Sequence, residues 1–260
     1  MKKYLINTGI VLFFVAILAL APKTVPHHLP QDLVPSFQYL FPIGMVFVLA
    51  KLLHRTDFLR IKKKVSPFPL FYMVLIISAL QFGLSYLSIE KKISPNLRAV
   101  VLMFLFTFLI ALFEEFLFRG LLLDEDLHQH KDDQRIKRKL YFSSLLFALI
   151  HFYNLYLQPA LVVETINQVI YAFFLGVYLS ALLLKTKNIW WCVLAHMIVD
   201  LSAFLPTLFQ ENTLTKVTDM SISTAIINLI YCLPLLIAGI RTISREAPGF
   251  IHGHQEIKSR

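Results

Sequence analysis

Eight long apolar segments constrain the fold of this chain more than any other feature of its sequence. They are separated by short polar stretches and cover residues 4–21, 36–54, 67–87, 99–123, 139–157, 160–184, 189–209 and 221–243. A transmembrane α-helix needs about 20 apolar residues to cross a hydrocarbon core about 30 Å thick. In lipid, a helix also pairs its own backbone N–H and C=O groups. The segments therefore predict an all-α, polytopic transmembrane helical bundle of about eight spans.

The predicted helices form three consecutive groups within one bundle. Residues 1–98 hold three N-terminal transmembrane helices, residues 99–209 hold a core of four helices, and residues 210–260 hold the last helix and a polar tail. The first segment closes on Ala19-Leu20-Ala21, which resembles a signal-peptide cleavage site. Because Pro22 follows immediately and hinders cleavage, we expect this segment to be a retained membrane anchor.

Basic residues gather on one side of the predicted membrane. With the N-terminus in the cytoplasm, the inside segments hold nineteen Lys and Arg residues, and the outside segments hold five, namely Lys23, Lys91, Lys92, Arg98 and Lys216. Cytoplasmic loops carry such an excess in membrane proteins, so both termini are predicted to be cytoplasmic. Basic loops beside a lipid bilayer therefore account for the net charge of +9, which does not indicate a nucleic-acid partner. Together with a composition rich in Phe, Leu and Lys, the pattern favours a multi-pass protein of a bacterial plasma membrane.

Three of the predicted helices carry titratable side chains where a bilayer makes them costly. These side chains are Glu114, Glu115 and Arg119 in the fourth segment, His151 in the fifth, and His196 and Asp200 in the seventh. A charged side chain near the bilayer centre costs about 2.5–3.5 kcal/mol on insertion scales, so it needs a partner or a function. Counted along their helices, the two His residues, Glu114 and Asp200 lie roughly 10–18 Å from the cytoplasmic ends. We therefore expect these four side chains to meet in the cytoplasmic half of the membrane.

Helical spacing separates the two neighbouring carboxylates. Glu115 and Arg119 are four positions apart and share a helix face, which predicts a structural ion pair. Glu114 projects about 140° away from Arg119, so it is the carboxylate without a local partner.

The same spacing pairs side chains on the other two helices. His196 shares a face with Asp200, and Phe147 shares a face with His151, each pair being four positions apart. A single membrane His is usually a hydrogen-bonded packing residue. A free Glu, two His and an Asp at one depth favour a functional site.

These three segments resemble the CPBP family, which comprises CAAX-type proteases and bacteriocin-processing enzymes and is also called the Abi family. Its signature places Glu-Glu-x-x-x-Arg, Phe-x-x-x-His and His-x-x-x-Asn/Asp on three separate helices. The matching strings here are Glu114-Glu115-x-x-x-Arg119, Phe147-x-x-x-His151 and His196-x-x-x-Asp200, within about residues 99–205. By this resemblance, residues 99–209 form the catalytic CPBP/Abi core. Asp200 stands where the prenyl-protein endopeptidases usually carry Asn, although Asp is also common in bacterial members.

The resemblance implies an intramembrane endopeptidase that cuts a membrane-associated protein or peptide. Glu114, as general base, and His151 would activate water. His196, with Asp200, would stabilise the oxyanion of the tetrahedral intermediate. An ionised Asp cannot donate a hydrogen bond as Asn can, so Asp200 is expected to orient His196 or to hold it protonated. Structural support of the site would come from Glu115, Arg119 and Phe147.

The sequence leaves a metal site open as an alternative. His151, His196 and Glu114 are acceptable zinc ligands. However, no His-Glu-x-x-His string occurs, and Cys192 and Cys232 lie singly in apolar segments, where they are expected to be small buried hydrophobic residues. We therefore favour a metal-free site without a cofactor.

Two other functions compete with proteolysis. The first is a non-catalytic bacteriocin-immunity or regulatory membrane scaffold, which would have no need of the intact Glu and His set. The second is a transporter that relays protons through Glu114, His151 and Asp200. A transporter predicts paired repeats and interrupted helices, and the sequence contains no convincing inverted repeat.

Overall fold

Helices make up almost all of the structure. The computed structural model describes residues 2–24, 30, 32–59, 66–123, 133–211 and 219–258. The long helices of these residues are α1 (Lys2–Thr24), α2 (Leu40–Leu52), α3 (Leu70–Leu87), α4 (Leu97–Glu115), α5 (Asp133–Leu149), α6 (Val162–Thr186), α7 (Ile189–Phe204) and α8 (Ile222–Lys258). Seven helical stretches of the described chain are long and apolar enough to cross a membrane, and Tyr4–Leu20 of α1 is a shorter apolar helix. The all-α, multi-pass membrane bundle is thus confirmed, while the count of eight spans stays a prediction.

Three helices differ from their predicted extents. Helix α4 passes directly into a π-helix, Phe116–Leu121. The predicted segment 139–157 is interrupted after α5 by a 3₁₀ turn, Ile150–Phe152, and resumes as the short helix Tyr153–Leu157. Helix α8 continues to Lys258, well past the predicted end at residue 243. Hydrophobicity indicates which segments lie in the membrane. It does not indicate where an α-helix changes to a π- or 3₁₀-helix, or where a helix continues through polar residues.

Helix α6 is the centre of the bundle. It packs against α5, α7 and α8 and is the most deeply buried candidate span of the described chain. Two glycines permit this packing. A Cβ at Gly176 would lie 3.1 Å from the Cβ of Ser144 on α5, and a Cβ at Gly239 of α8 would lie 3.0 Å from the backbone of Tyr178. Small residues let membrane helices approach closely in this way.

The loops at one end of the bundle are joined to one another, and we call this end the outer end, following the predicted orientation. The Ile93 N–H donates to the Phe209 carbonyl at 2.8 Å, and Lys91 pairs with Glu211 at 2.5 Å. Asp219 accepts hydrogen bonds from the N–H groups of Val163 and Glu164 at the start of α6, at 2.7 and 2.9 Å. The ends of α3 and α7 and the starts of α4, α6 and α8 therefore share one side of the molecule.

The opposite, inner end is filled by a continuous apolar core. Its buried members come from the π-helix, α5, α6 and α7 and include Phe118, Leu121, Leu140, Leu182 and Cys192. Cys192 and Cys232 are both free and buried, as the sequence predicts. Of the basic residues in the charge count, positions 60, 62–64, 131, 216 and 260 lie outside the described residues.

Orientation in the membrane gives the first testable prediction. Reporters fused after Lys64, Arg138 and Arg260 are expected to read as cytoplasmic, and reporters after Pro26 and Asn212 as exterior, because basic residues favour the cytoplasmic side. Paired alkaline phosphatase and fluorescent protein fusions in intact cells measure this directly. A cytoplasmic signal from the fusion after Asn212 would overturn the eight-span topology.

Candidate active site

The two neighbouring carboxylates at the end of α4 have separate surroundings. Glu115 is fully buried, and its Oε1 accepts a hydrogen bond from Nη1 of Arg119 at 3.0 Å. The same oxygen lies 2.9 Å from Nδ1 of His196 on α7. Arg119 is fully buried in the π-helix and donates from Nη2 to the Gly176 carbonyl of α6 at 3.1 Å. Glu115 and Arg119 thus fix α4, α6 and α7 relative to one another.

Glu114 has no such partner. Its Oε2 is buried without a hydrogen bond in the described structure, although the side chain as a whole is 13% exposed. This oxygen lies 3.7 Å from Nε2 of His196. Oε2 of Glu115 is likewise without a hydrogen bond, but Glu114 is the one of the two that lines the cavity described below, so it is the carboxylate placed to accept a proton or a hydrogen bond from a ligand.

His196 lies between three carboxylates. Its Nδ1 contacts Glu115, and its Nε2 lies 3.5 Å from Oδ2 of Asp200 as well as 3.7 Å from Glu114. Carboxylate oxygens accept hydrogen bonds, and an imidazole can donate from both nitrogens only when it is doubly protonated. The arrangement is therefore suited to an imidazolium whose Nε2–H points toward Glu114 and Asp200.

Phe147 contacts both histidines. Nδ1 of His151 lies 3.0 Å from the Phe147 carbonyl, which can only accept, so Nδ1 carries the proton and Nε2 is left for another partner. This bond uses an acceptor that an uninterrupted α-helix would offer to the backbone N–H of His151, which fits the 3₁₀ turn at this point. The Phe147 ring centroid is 5.4 Å from that of His151 and 5.5 Å from that of His196. The guanidinium carbon of Arg119 lies 4.3 Å above the same ring, in a cation–π contact.

The four residues expected to be catalytic line one cavity. Glu114, His151, His196 and Asp200 surround a space of about 200 Å³, whose walls also include Tyr39, Asn154, Gln168 and Tyr171. Nδ2 of Asn154 donates to Oε1 of Gln168 at 2.7 Å, which links the turn after α5 to α6. A water molecule and a peptide carbonyl can be held together in such a space.

Sequence reasoning missed several of these residues. Asn154 and Gln168 are polar residues within apolar segments, and that signal was available. Tyr39 lies just before α2, outside the three motifs, and nothing in the sequence relates it to the others. The contact between Glu115 and His196 was also missed, because helical spacing gives neighbours on one helix and not those on another.

A catalytic zinc ion is usually held by three protein side chains and a water molecule. Among the described residues, no group of three or more His, Cys, Asp or Glu side chains is placed to hold a metal ion. Nδ1 of each histidine is engaged, and Nε2 of each is left to face a ligand. The described residues therefore present no ready set of three ligands for the zinc alternative, and the metal-free site stays a prediction.

One comparison with known proteins gives a match. Residues 95–202 match the family model "Type II CAAX prenyl endopeptidase Rce1-like". This range contains α4 to α7 up to Asp200, and thus all three motifs and the four cavity residues. The match confirms the resemblance to the CAAX-type proteases and supports a membrane protease. Neither the curated proteins nor the solved structures include a significant match.

Proposed function

We propose that this chain, through the Rce1-like domain of residues 95–202, is an intramembrane endopeptidase that hydrolyses a membrane-associated protein or peptide with water activated by Glu114 and His151. One observation carries the proposal above the others. Glu114 is a largely buried carboxylate whose Oε2 accepts no hydrogen bond among the described residues, in a cavity that it shares with His151, His196 and Asp200.

The first step is attack by water. Glu114 removes a proton from a water molecule in the cavity while the water oxygen bonds to the carbonyl carbon of the substrate. Nε2 of His151, whose ring is held by the Phe147 carbonyl, accepts a hydrogen bond from the same water and orients it. The product of this step is a tetrahedral intermediate with a negatively charged oxygen.

The second step is collapse of this intermediate. The Nε2–H of His196 donates to the oxyanion, and the carboxylates of Glu115 and Asp200 stabilise the charge on the imidazolium. Protonated Glu114 then gives its proton to the leaving nitrogen as the C–N bond breaks. The products are a carboxylic acid and an amine, and Glu114 returns to its ionised form.

A comparison of strains tests the proposed function while the substrate is still unidentified. Membrane-anchored peptides are profiled by mass spectrometry in cells that carry the wild-type chain, Glu114→Ala, or Glu90→Ala as a matched control, since Glu90 is exposed and outside the site. Uncut precursors are expected to accumulate with Glu114→Ala alone. Identical profiles in all three strains, at equal protein levels, would refute the protease function.

Metal removal tests the metal-free mechanism. Because no three side chains among the described residues are grouped to hold a metal ion, purified protein is expected to hold far less than one equivalent of zinc and to stay active after exhaustive chelation. His196→Ala is expected to lower turnover by about 10²–10³-fold through loss of oxyanion stabilisation. Elemental analysis and turnover before and after chelation measure both points. Stoichiometric zinc that is required for activity would overturn this mechanism.

A further inference from the structure

A second, larger cavity adjoins the catalytic one. It has a volume of about 560 Å³ and shares Gln168, Tyr171, Ala203 and Phe204 with the cavity around Glu114. Its volume is within the range of sites that bind organic ligands. The mechanism proposed above makes no use of it.

Both cavities extend toward the outer end of the bundle. Along α7, the walls run from His196 through Asp200 to Phe204, and they continue to Thr207 in the 3₁₀ turn that follows the helix. Along α6, they run from Leu175 back to Glu164, in its first turn. On both helices, the residues that line the two cavities extend from the catalytic residues toward the loops of the outer end.

The described residues on the inner side of Glu114 are closely packed. Below Glu114, the bundle is occupied by the fully buried Arg119, Phe118 and Leu121, and α6 is buried from Gly176 to Leu184. A substrate that came from that side would have to displace the packed core, whereas the outer route already exists as open volume.

The walls of the larger cavity suit an extended, basic peptide. Oδ1 of Asn167 is buried without a hydrogen-bond partner in a residue that is 2% exposed, so it is a free acceptor for an N–H group. Glu164 is the one charged side chain among the described residues that line the cavity.

The described cations of the outer end are bonded elsewhere. Lys91 pairs with Glu211, Lys92 donates to the Ile89 carbonyl, and Arg98 pairs with Asp32. None of these contacts involves Glu164, so these three cations leave its carboxylate open to a ligand.

We infer that the larger cavity binds the segment of a basic peptide next to the scissile bond, and that this peptide enters from the outer, extracytoplasmic end. A substrate Lys or Arg faces Glu164 at the entrance, and a backbone N–H of the substrate donates to Oδ1 of Asn167. This assignment rests on the proposed protease function and adds the class of substrate and the side from which it comes.

Thiol labelling tests the side of entry independently of catalysis. Ser85→Cys and Thr224→Cys place a thiol in the cavity wall, and Arg138→Cys places one at the exposed inner end as a control. The two native cysteines are buried, so the unsubstituted chain is expected to stay unlabelled. A membrane-impermeant maleimide should label the cavity variants in intact cells and the Arg138 variant only in inside-out vesicles. Labelling of the cavity variants from the cytoplasmic side alone would overturn the inference.

Paired peptides test the chemistry of the cavity. The probes are two acylated, internally quenched peptide pools, identical except that Lys flanks the randomised cleavage region in one and Gln in the other. We expect a lower KM for the Lys pool with the wild-type chain, by about 5-fold, as for an exposed ion pair of about 1 kcal/mol. Glu164→Gln should abolish this preference and Glu164→Lys should reverse it, whereas Glu211→Gln should retain it.

The outcomes separate the two proposals. If wild type and Glu114→Gln cleave alike, or if neither cleaves, the protease function and the cavity assignment both fail. If Glu114→Gln is inactive but the preference for Lys persists in Glu164→Gln, the cavity assignment alone fails.

Discussion

Glu114→Gln is expected to lower peptide turnover by about 10²–10⁴-fold, the range that a positioned general base contributes. Gln has nearly the same shape as Glu but cannot take up the proton of the attacking water. The fold should tolerate the change, because Oε2 of Glu114 makes no hydrogen bond and its nearest charged neighbour, Nε2 of His196, is 3.7 Å away. Turnover of a cleaved peptide, together with the thermal midpoint in detergent, measures both expectations.

The matched control for this change is Glu90→Gln. It removes one carboxylate from an exposed position outside the cavity, so turnover is expected to stay within about 2-fold of wild type, by the general tolerance of surface positions. If Glu114→Gln cleaves a genuine substrate as fast as Glu90→Gln, then Glu114 is not the base and the mechanism is wrong. If Glu114→Gln fails to fold, the loss of activity does not count, and Glu114→Ala replaces it in the same comparison.

The fold class was readable from the sequence, because a bilayer allows few alternatives. Apolar segments long enough to cross it must be helices, and the described helices fall on the predicted segments. Local changes from α-helix to π- or 3₁₀-helix could not be predicted from it. The π-helix at Phe116–Leu121 continues the apolar segment of α4, and the 3₁₀ turn at Ile150–Phe152 coincides with the side-chain bond from His151 to the Phe147 carbonyl.

Within the site, the sequence predicted only the contacts between residues of the same helix. Spacing alone gave the ion pair between Glu115 and Arg119, which is present, and left Glu114 without a partner on its own helix; its Oε2 makes no hydrogen bond. Contacts between helices depend on rotation and depth, which periodicity does not contain. For this reason, Arg119 was the one partner predicted for Glu115. In the structure, Oε1 of Glu115 contacts both Arg119 and His196.

That shared oxygen gives the second large expected effect. Glu115→Gln should lower the free energy of unfolding by about 3–5 kcal/mol, as when one partner of a buried ion pair is removed. The charge of Arg119 is then left fully buried, and His196 loses the carboxylate at Nδ1. Denaturant titration in detergent micelles, followed by tryptophan fluorescence, measures the change.

An exposed pair supplies the matched control. Glu211→Gln makes the same chemical change in the pair with Lys91, whose side chains are 42% and 75% exposed, and is expected to cost no more than about 1 kcal/mol. Because breaking a buried pair leaves one charge uncompensated, the double change Glu115→Gln with Arg119→Met should cost less than the sum of the two single changes. Equal effects of Glu115→Gln and Glu211→Gln would mean that the buried pair does not hold α4 against α6 and α7. Glu115 would then have to be assigned to catalysis, through its contact with His196.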